Sequence, residues 1–237
     1  MPDSITIPSQ FNGPLTSGNG GYAAGAVAAF VEGPAEVTLR RPVPLDQPMQ
    51  IVRGEDGTVR ALEGEELVAE GRPVPDFELE VPAPVTPEQA RDAERRYRGL
   101  AEGPFSRCFV CGRAREDSLG VFAGAVEGRQ LVASTWTPPS SLADSEGRVP
   151  AEIVWAVLDC PTMFGSCIDE EELPPMVMLG RLSARIESPV LAGEEHVVIG
   201  WPIEVDGRKR HAGSAVLSAS GEVLASARAL MIEPRAA

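Results

Sequence analysis

Two apolar stretches of helix length, each tied to a long series of strand-like segments, constrain this chain more than any other feature. The first is residues 18–32, Gly-Asn-Gly-Gly-Tyr-Ala-Ala-Gly-Ala-Val-Ala-Ala-Phe-Val-Glu. It is small on almost every side, which predicts a helix buried all round. The second is residues 151–160, Ala-Glu-Ile-Val-Trp-Ala-Val-Leu-Asp-Cys, with Pro150 near its first turn. Residues 35–42, 47–53, 57–62 and 65–72 read as strands after the first run, the last two as a hairpin about Glu63-Gly64. Residues 119–126 and 130–137 read as strands before the second run, and 179–187, 195–205, 209–218 and 223–232 as strands after it. "LRRPVPLDQPMQIV" from Leu39 lines up with "IESPVLAGEEHVVI" from Ile186, and "GEELVAEGRPV" from Gly64 with "GEVLASARALM" from Gly221. Recurrence of the whole order points to an internal duplication. It gives an N-terminal unit at 1–75 and a C-terminal unit at 118–237, each a buried helix with an antiparallel meander.

The connector, residues 76–117, differs in composition. It starts within the proline-rich run "PVPDFELEVPAPV" and continues into Thr86-Pro87-Glu88-Gln89. That tetrapeptide predicts a helix start, with Thr86 as N-cap, proline at the first position and Gln89 closing a capping box. The helix, to about Arg98, is charged on most faces and is expected on the surface. The formal net charge of −14 disfavours nucleic acid and anionic membranes as partners. No segment approaches the roughly 18 uninterrupted apolar residues of a membrane span. The N-terminus has no basic stretch followed by an apolar run, so no secretion signal is expected and the expected location is cytoplasmic. The four cysteines are then expected as thiols.

A long apolar helix wrapped by an antiparallel meander, present twice, resembles the tandem arrangement of the hotdog acyl-CoA thioesterases, the acyl-CoA thioesterase II branch in particular. The resemblance covers roughly residues 10–72 and 119–233. It implies an α+β double hotdog, with two buried helices each wrapped by an antiparallel sheet and the two sheets forming one continuous surface. It also implies an active site between the halves and a possible homodimer of tandem hotdogs. In such proteins the free N–H groups at the start of a buried helix polarise the thioester carbonyl, and a carboxylate attacks or activates water.

Carried onto this chain, the resemblance assigns the amide pocket to Gly20, Gly21 and Tyr22, at the start of the first helix. Two turns on stands Ala28, so that helix supplies no acid. The matching position of the second helix is Asp159, the expected base or nucleophile. A plainer reading puts Asp159 at the helix end before Pro161, bonded to a loop N–H and facing water. The branch's positioning hydroxyl falls on Ser183, whereas its glutamine falls near Ala229 and is missing. Asn19 and Thr162 are further polar candidates beside Asp159, and Trp155 and Met163, with Tyr22, candidates for an acyl pocket. Arg181, Arg185, Arg208, Lys209, Arg210 and Arg228 are cations available for the phosphates of coenzyme A, although residues 207–211 read as a solvated hairpin tip.

Arg107-Cys108-Phe109-Val110-Cys111-Gly112 resembles half of a zinc knuckle. Cys160 and Cys167, six residues apart in number of intervening residues, do not form a recognised second pair, and neither do His196 and His211. The motif therefore reads as a structural turn, and no metal or other cofactor is expected. Both histidines fall on strands away from the helices, which disfavours dehydratase chemistry. No serine-hydrolase elbow and no phosphate-cradling loop is present. The expected function is hydrolysis of an acyl-CoA or acyl-carrier thioester. The alternative is a non-catalytic acyl-ligand-binding protein on the same scaffold. Residues 160–178 are a candidate cover for the site.

Overall fold

The computed structural model describes residues 3–99, 102–172 and 176–234. Its strands are β1 (Ser4–Thr6), β2 (Ala35–Leu39), β3 (Pro48–Arg53), β4 (Val59–Glu63), β5 (Glu66–Pro73), β6 (Gly124–Ala125), β7 (Val132–Trp136), β8 (Met178–Ile186), β9 (His196–Asp206), β10 (Lys209–Ser218) and β11 (Val223–Ile232). The α-helices are α1 (Gly20–Ala28), α2 (Pro87–Glu94) and α3 (Ala151–Ser166). All the strands join one antiparallel sheet in the order β1-β3-β4-β5-β2-β8-β11-β10-β9-β7-β6. The order outward from the β2–β8 pair is the same on both sides, β2-β5-β4-β3-β1 against β8-β11-β10-β9-β7. Leu39 and Ile186, aligned in the sequence, each end the strand at this seam. The architecture is α+β.

Helices α1 and α3 lie against one face of the sheet. Their core includes Val37, Leu182, Ala184, Val198, Val216 and Ala227. The alternate residues Ala133, Val197, Ile199, Ala215 and Leu217 face the other way and form a second core with Ala90 and Ala93 of α2. This period-two switch is the ordinary consequence of a pleated strand. The expected capping box of α2 is present: Gln89 N donates to Thr86 Oγ1 at 3.2 Å and Thr86 N to Gln89 Oε1 at 3.0 Å. The helix ends at Glu94, short of Arg98, and it is not a purely solvated face: Ala90 and Ala93 are fully buried.

Glu94 fastens α2 to β7. Its Oε1 accepts from Thr135 N at 2.6 Å, Thr135 Oγ1 at 2.7 Å and Ser134 Oγ at 3.1 Å. Glu94→Ala leaves these donors without that acceptor, and urea unfolding is expected to show a loss of about 2 kcal/mol. An unchanged midpoint would rule out this role for Glu94.

Two further sequence expectations are corrected. Of residues 119–126 only Gly124 and Ala125 form a strand. Just before them, Leu119 N and Val121 N donate to the carbonyls of Phe109 and Val110, so these two amides pair with the connector instead of the sheet. Helix α3 does not stop before Pro161 but runs through it to Ser166. Proline removes one helical N–H, and packing holds the turn nevertheless. Gly200 of β9 lets the helix sit close, since a Cβ there would lie 2.2 Å from Pro161 O. Ser214 Oγ donates to Leu158 O at 2.6 Å. The start of the 160–178 segment is thus helix, and its residues 173–175 lie outside the described residues.

Candidate active site

Helices α1 and α3 approach closely because α1 carries almost no side-chain bulk where they meet. A Cβ on Gly21 would lie 2.4 Å from Trp155 O and 2.6 Å from Asp159 Cβ, and one on Gly25 would lie 2.6 Å from Glu152 Cα. The small residues of the first apolar run therefore serve a helix–helix contact.

This approach places Asp159 at the start of α1. Asp159 Oδ2 accepts from Gly21 N at 2.8 Å. The carboxylate thus meets the positively polarised end of a helix from the other half of the chain. Asp159 is 7% exposed, which removes the reading of a water-facing acid at a helix end. Burial pushes its carboxyl up to about 7, the Gly21 N–H draws it down, and the nearby Cys108 thiol adds to the rise.

The three amides at the start of α1 have different fates. Gly21 N–H is held by Asp159, and Tyr22 N–H donates to Asn19 Oδ1 at 2.9 Å, Asn19 being the N-cap. Gly20 N–H has no hydrogen-bond partner among the described residues. A pocket of about 280 Å³ opens at this point, with Asn19, Gly20, Asp159 and Met163 among its lining residues. Leu39, Leu179 and Met231 give it an apolar wall, and the exposed Arg40 and Arg41 stand on its rim.

The other candidates from the sequence are not brought to the carboxylate's working side. Ser183 lies on the sheet face opposite the two helices, where its Oγ donates to Glu36 Oε2 at 2.9 Å. Its strand neighbours Leu182 and Ala184 are the ones that face α1 and α3, so strand parity removes Ser183 from Asp159. Thr162 is fully buried, with its Oγ1 donating to Asp159 O at 2.6 Å and lying 3.4 Å from Met231 Sδ. Trp155 packs on Gly25, and Tyr22 stacks on Phe11 with ring centroids 4.0 Å apart, so neither lines the pocket. Burial, with Glu152 nearby, pushes the Tyr22 hydroxyl up to about 12. Of the hairpin 207–211, Arg208 and Lys209 are exposed as expected and Arg210 is not. Arg210 is no solvated tip: it is buried, with its guanidinium paired to Glu170 and Glu233.

Cys160 is the residue that sequence reasoning missed. It follows Asp159 on α3, and its sulfur lies 3.8 Å from Cys108 Sγ in the pocket wall. Reading the cysteines as pairs of fixed spacing conceals a third thiol delivered by a helix. Hydrogen bonds from the Cys111 and Cys160 thiols hold Cys108 well below the usual thiol range, and the same contacts, with burial, push Cys160 up.

No family model matches the chain, and no curated protein matches it. Solved structures do. A tesB protein of Mycobacterium avium subspecies paratuberculosis superposes with a TM-score of 0.62 at 12% identity, over 98% of this chain and 92% of that one. The acyl-CoA thioesterase II TesB2 of Mycobacterium marinum gives 0.60 at 13% identity, over 93% and 91%. A hot dog fold protein of Alicyclobacillus acidocaldarius gives 0.64 at 11% identity, over 99% and 93%. At such identities the likeness speaks for the fold: this chain folds as the hotdog thioesterases do.

Proposed function

We propose that the protein hydrolyses acyl-CoA or a related acyl thioester. We read its architecture as a double hotdog, with units at 1–75 and 118–237 joined by the connector 76–117. The observation that carries this reading is the hydrogen bond from Gly21 N–H to Asp159, which fixes a carboxylate at a helix start beside an apolar pocket. The thioester carbonyl oxygen would take the N–H of Gly20. Asp159 would accept a proton from water as the water oxygen bonds to the carbonyl carbon. The tetrahedral oxyanion held at Gly20 then collapses, the carbon–sulfur bond breaks, and the leaving thiolate takes the proton from Asp159. Direct attack by the carboxylate uses the same placement and gives an anhydride that water cleaves. The apolar wall suits an acyl chain, and the guanidinium groups of Arg40 and Arg41 suit the nucleotide phosphates.

Thiol release from short, medium, long and aromatic acyl-CoAs tests the proposal. Release well above the rate without protein is the expected result, and its dependence on the acyl group ranks the substrates. The second reading, acyl binding without hydrolysis, draws support from the amides of Gly21 and Tyr22 being already engaged. Saturable binding of the same compounds with no thiol released would establish that reading and end the first.

A further inference from the structure

We propose that Cys108, Cys111 and Cys160 bind a zinc-class divalent ion with three thiolates, its fourth position facing the pocket. This inference goes beyond the thioesterase reading and does not depend on it.

Three thiols from two separate parts of the chain converge. Cys108 and Cys111 come from the turn in the connector and Cys160 from α3, and all three sulfurs lie within 4.8 Å of one another. Sulfurs about 2.3 Å from a tetrahedral zinc would stand about 3.8 Å apart. The Cys108–Cys160 separation, 3.8 Å, matches that edge.

The turn itself has the form that a thiolate ligand requires. Gly112 N donates to Cys108 O at 2.9 Å and closes the turn. A Cβ at Gly112 would lie 2.5 Å from Cys108 N, so a side chain there would force the turn open. Asn19 Nδ2, 3.8 Å from the Cys108 sulfur, offers it an N–H donor. A donor held beside a ligand sulfur is the outer support that metal-binding thiolates take. A plain structural turn needs none of this convergence, and an odd number of thiols does not resolve into disulfides.

The fourth position follows from burial and lining. The three cysteines line the same pocket as Asp159 and Gly20. Among the described residues no further histidine, cysteine or carboxylate joins the group. Three protein ligands with an exchangeable fourth is the arrangement of zinc sites open to small ligands, and a thiolate set selects zinc over magnesium or calcium.

The test uses the purified protein alone, kept reduced, so its result stands whether or not any thioester is hydrolysed. Elemental analysis is expected to find about one zinc per chain. Cobalt(II) added to the metal-stripped protein is expected to give sulfur-to-cobalt charge-transfer bands and the visible bands of tetrahedral cobalt. Cys160→Ser and Cys108→Ser are expected to lose most of the bound metal. Cys167→Ser, which alters a buried thiol outside the group, is expected to keep it, and circular dichroism checks that each variant is folded. Absence of both stoichiometric zinc and thiolate–cobalt bands in the wild-type protein would overturn the proposal. So would full metal retention by folded Cys160→Ser, or equal loss in Cys167→Ser.

Discussion

Asp159→Asn is expected to lower thioester turnover by at least ~100-fold, a barrier increase of about 2.7 kcal/mol. The substitution preserves shape, and the side-chain oxygen can still accept from Gly21 N–H, so the geometry of the pocket persists. What disappears is the capacity to take a proton or to attack. The thermal midpoint at neutral pH should not fall, because the wild-type carboxylate is buried and burial disfavours its charged form. Measuring turnover and melting on the same preparation separates the two effects. Retained turnover would remove Asp159 from the mechanism, and a large drop in melting temperature would recast it as a structural residue.

Gly21→Ala is expected to damage both folding and activity. The added methyl would occupy space 2.4 Å from Trp155 O, 2.6 Å from Asp159 Cβ and 2.9 Å from Ala156 Cα. Two of these atoms belong to the backbone of α3, so no rotamer change relieves the clash and the helices must separate. Overpacking of this kind costs about 3 kcal/mol. Separation also pulls Gly21 N–H away from Asp159, and displacement on the order of 1 Å at a reacting group costs up to ~100-fold in rate. Denaturant unfolding and thiol release measure the two losses. A variant as stable as wild type would show that the helices are not held at the described distance.

Much of the framework was legible because it depends on local pattern. The two apolar runs, the hairpins at Gly64 and Gly221 and the capping box at Thr86 follow from residue type and short-range spacing. The errors arose where distant packing decides the outcome. Pro161 is a helix breaker in isolation, yet α3 continues through it because Gly200 gives it room against β9. Residues 119–123 are apolar enough to suggest a strand, but the amides of Leu119 and Val121 find their partners in the connector. Asp159 and the glycine pair were identified through the resemblance, although the hydrogen bond joining them spans 138 residues and has no local signature. Ser183 failed on parity, since a match by position along a strand says nothing of the face until the register is known. Cys160 was weighed only as a pair with Cys167, at a spacing that makes no recognised site, and only the close approach of the connector turn to α3 gives it partners.

The eleven strands of the described residues terminate in two very short ones. β1 has three residues and β6 two, and these are the ends of the sheet order. A margin so brief offers few unpaired backbone groups to an incoming strand. Growth by strand addition, the usual hazard of a wide antiparallel sheet, is therefore disfavoured at both borders, where an incoming chain would find only three and two strand residues to pair with.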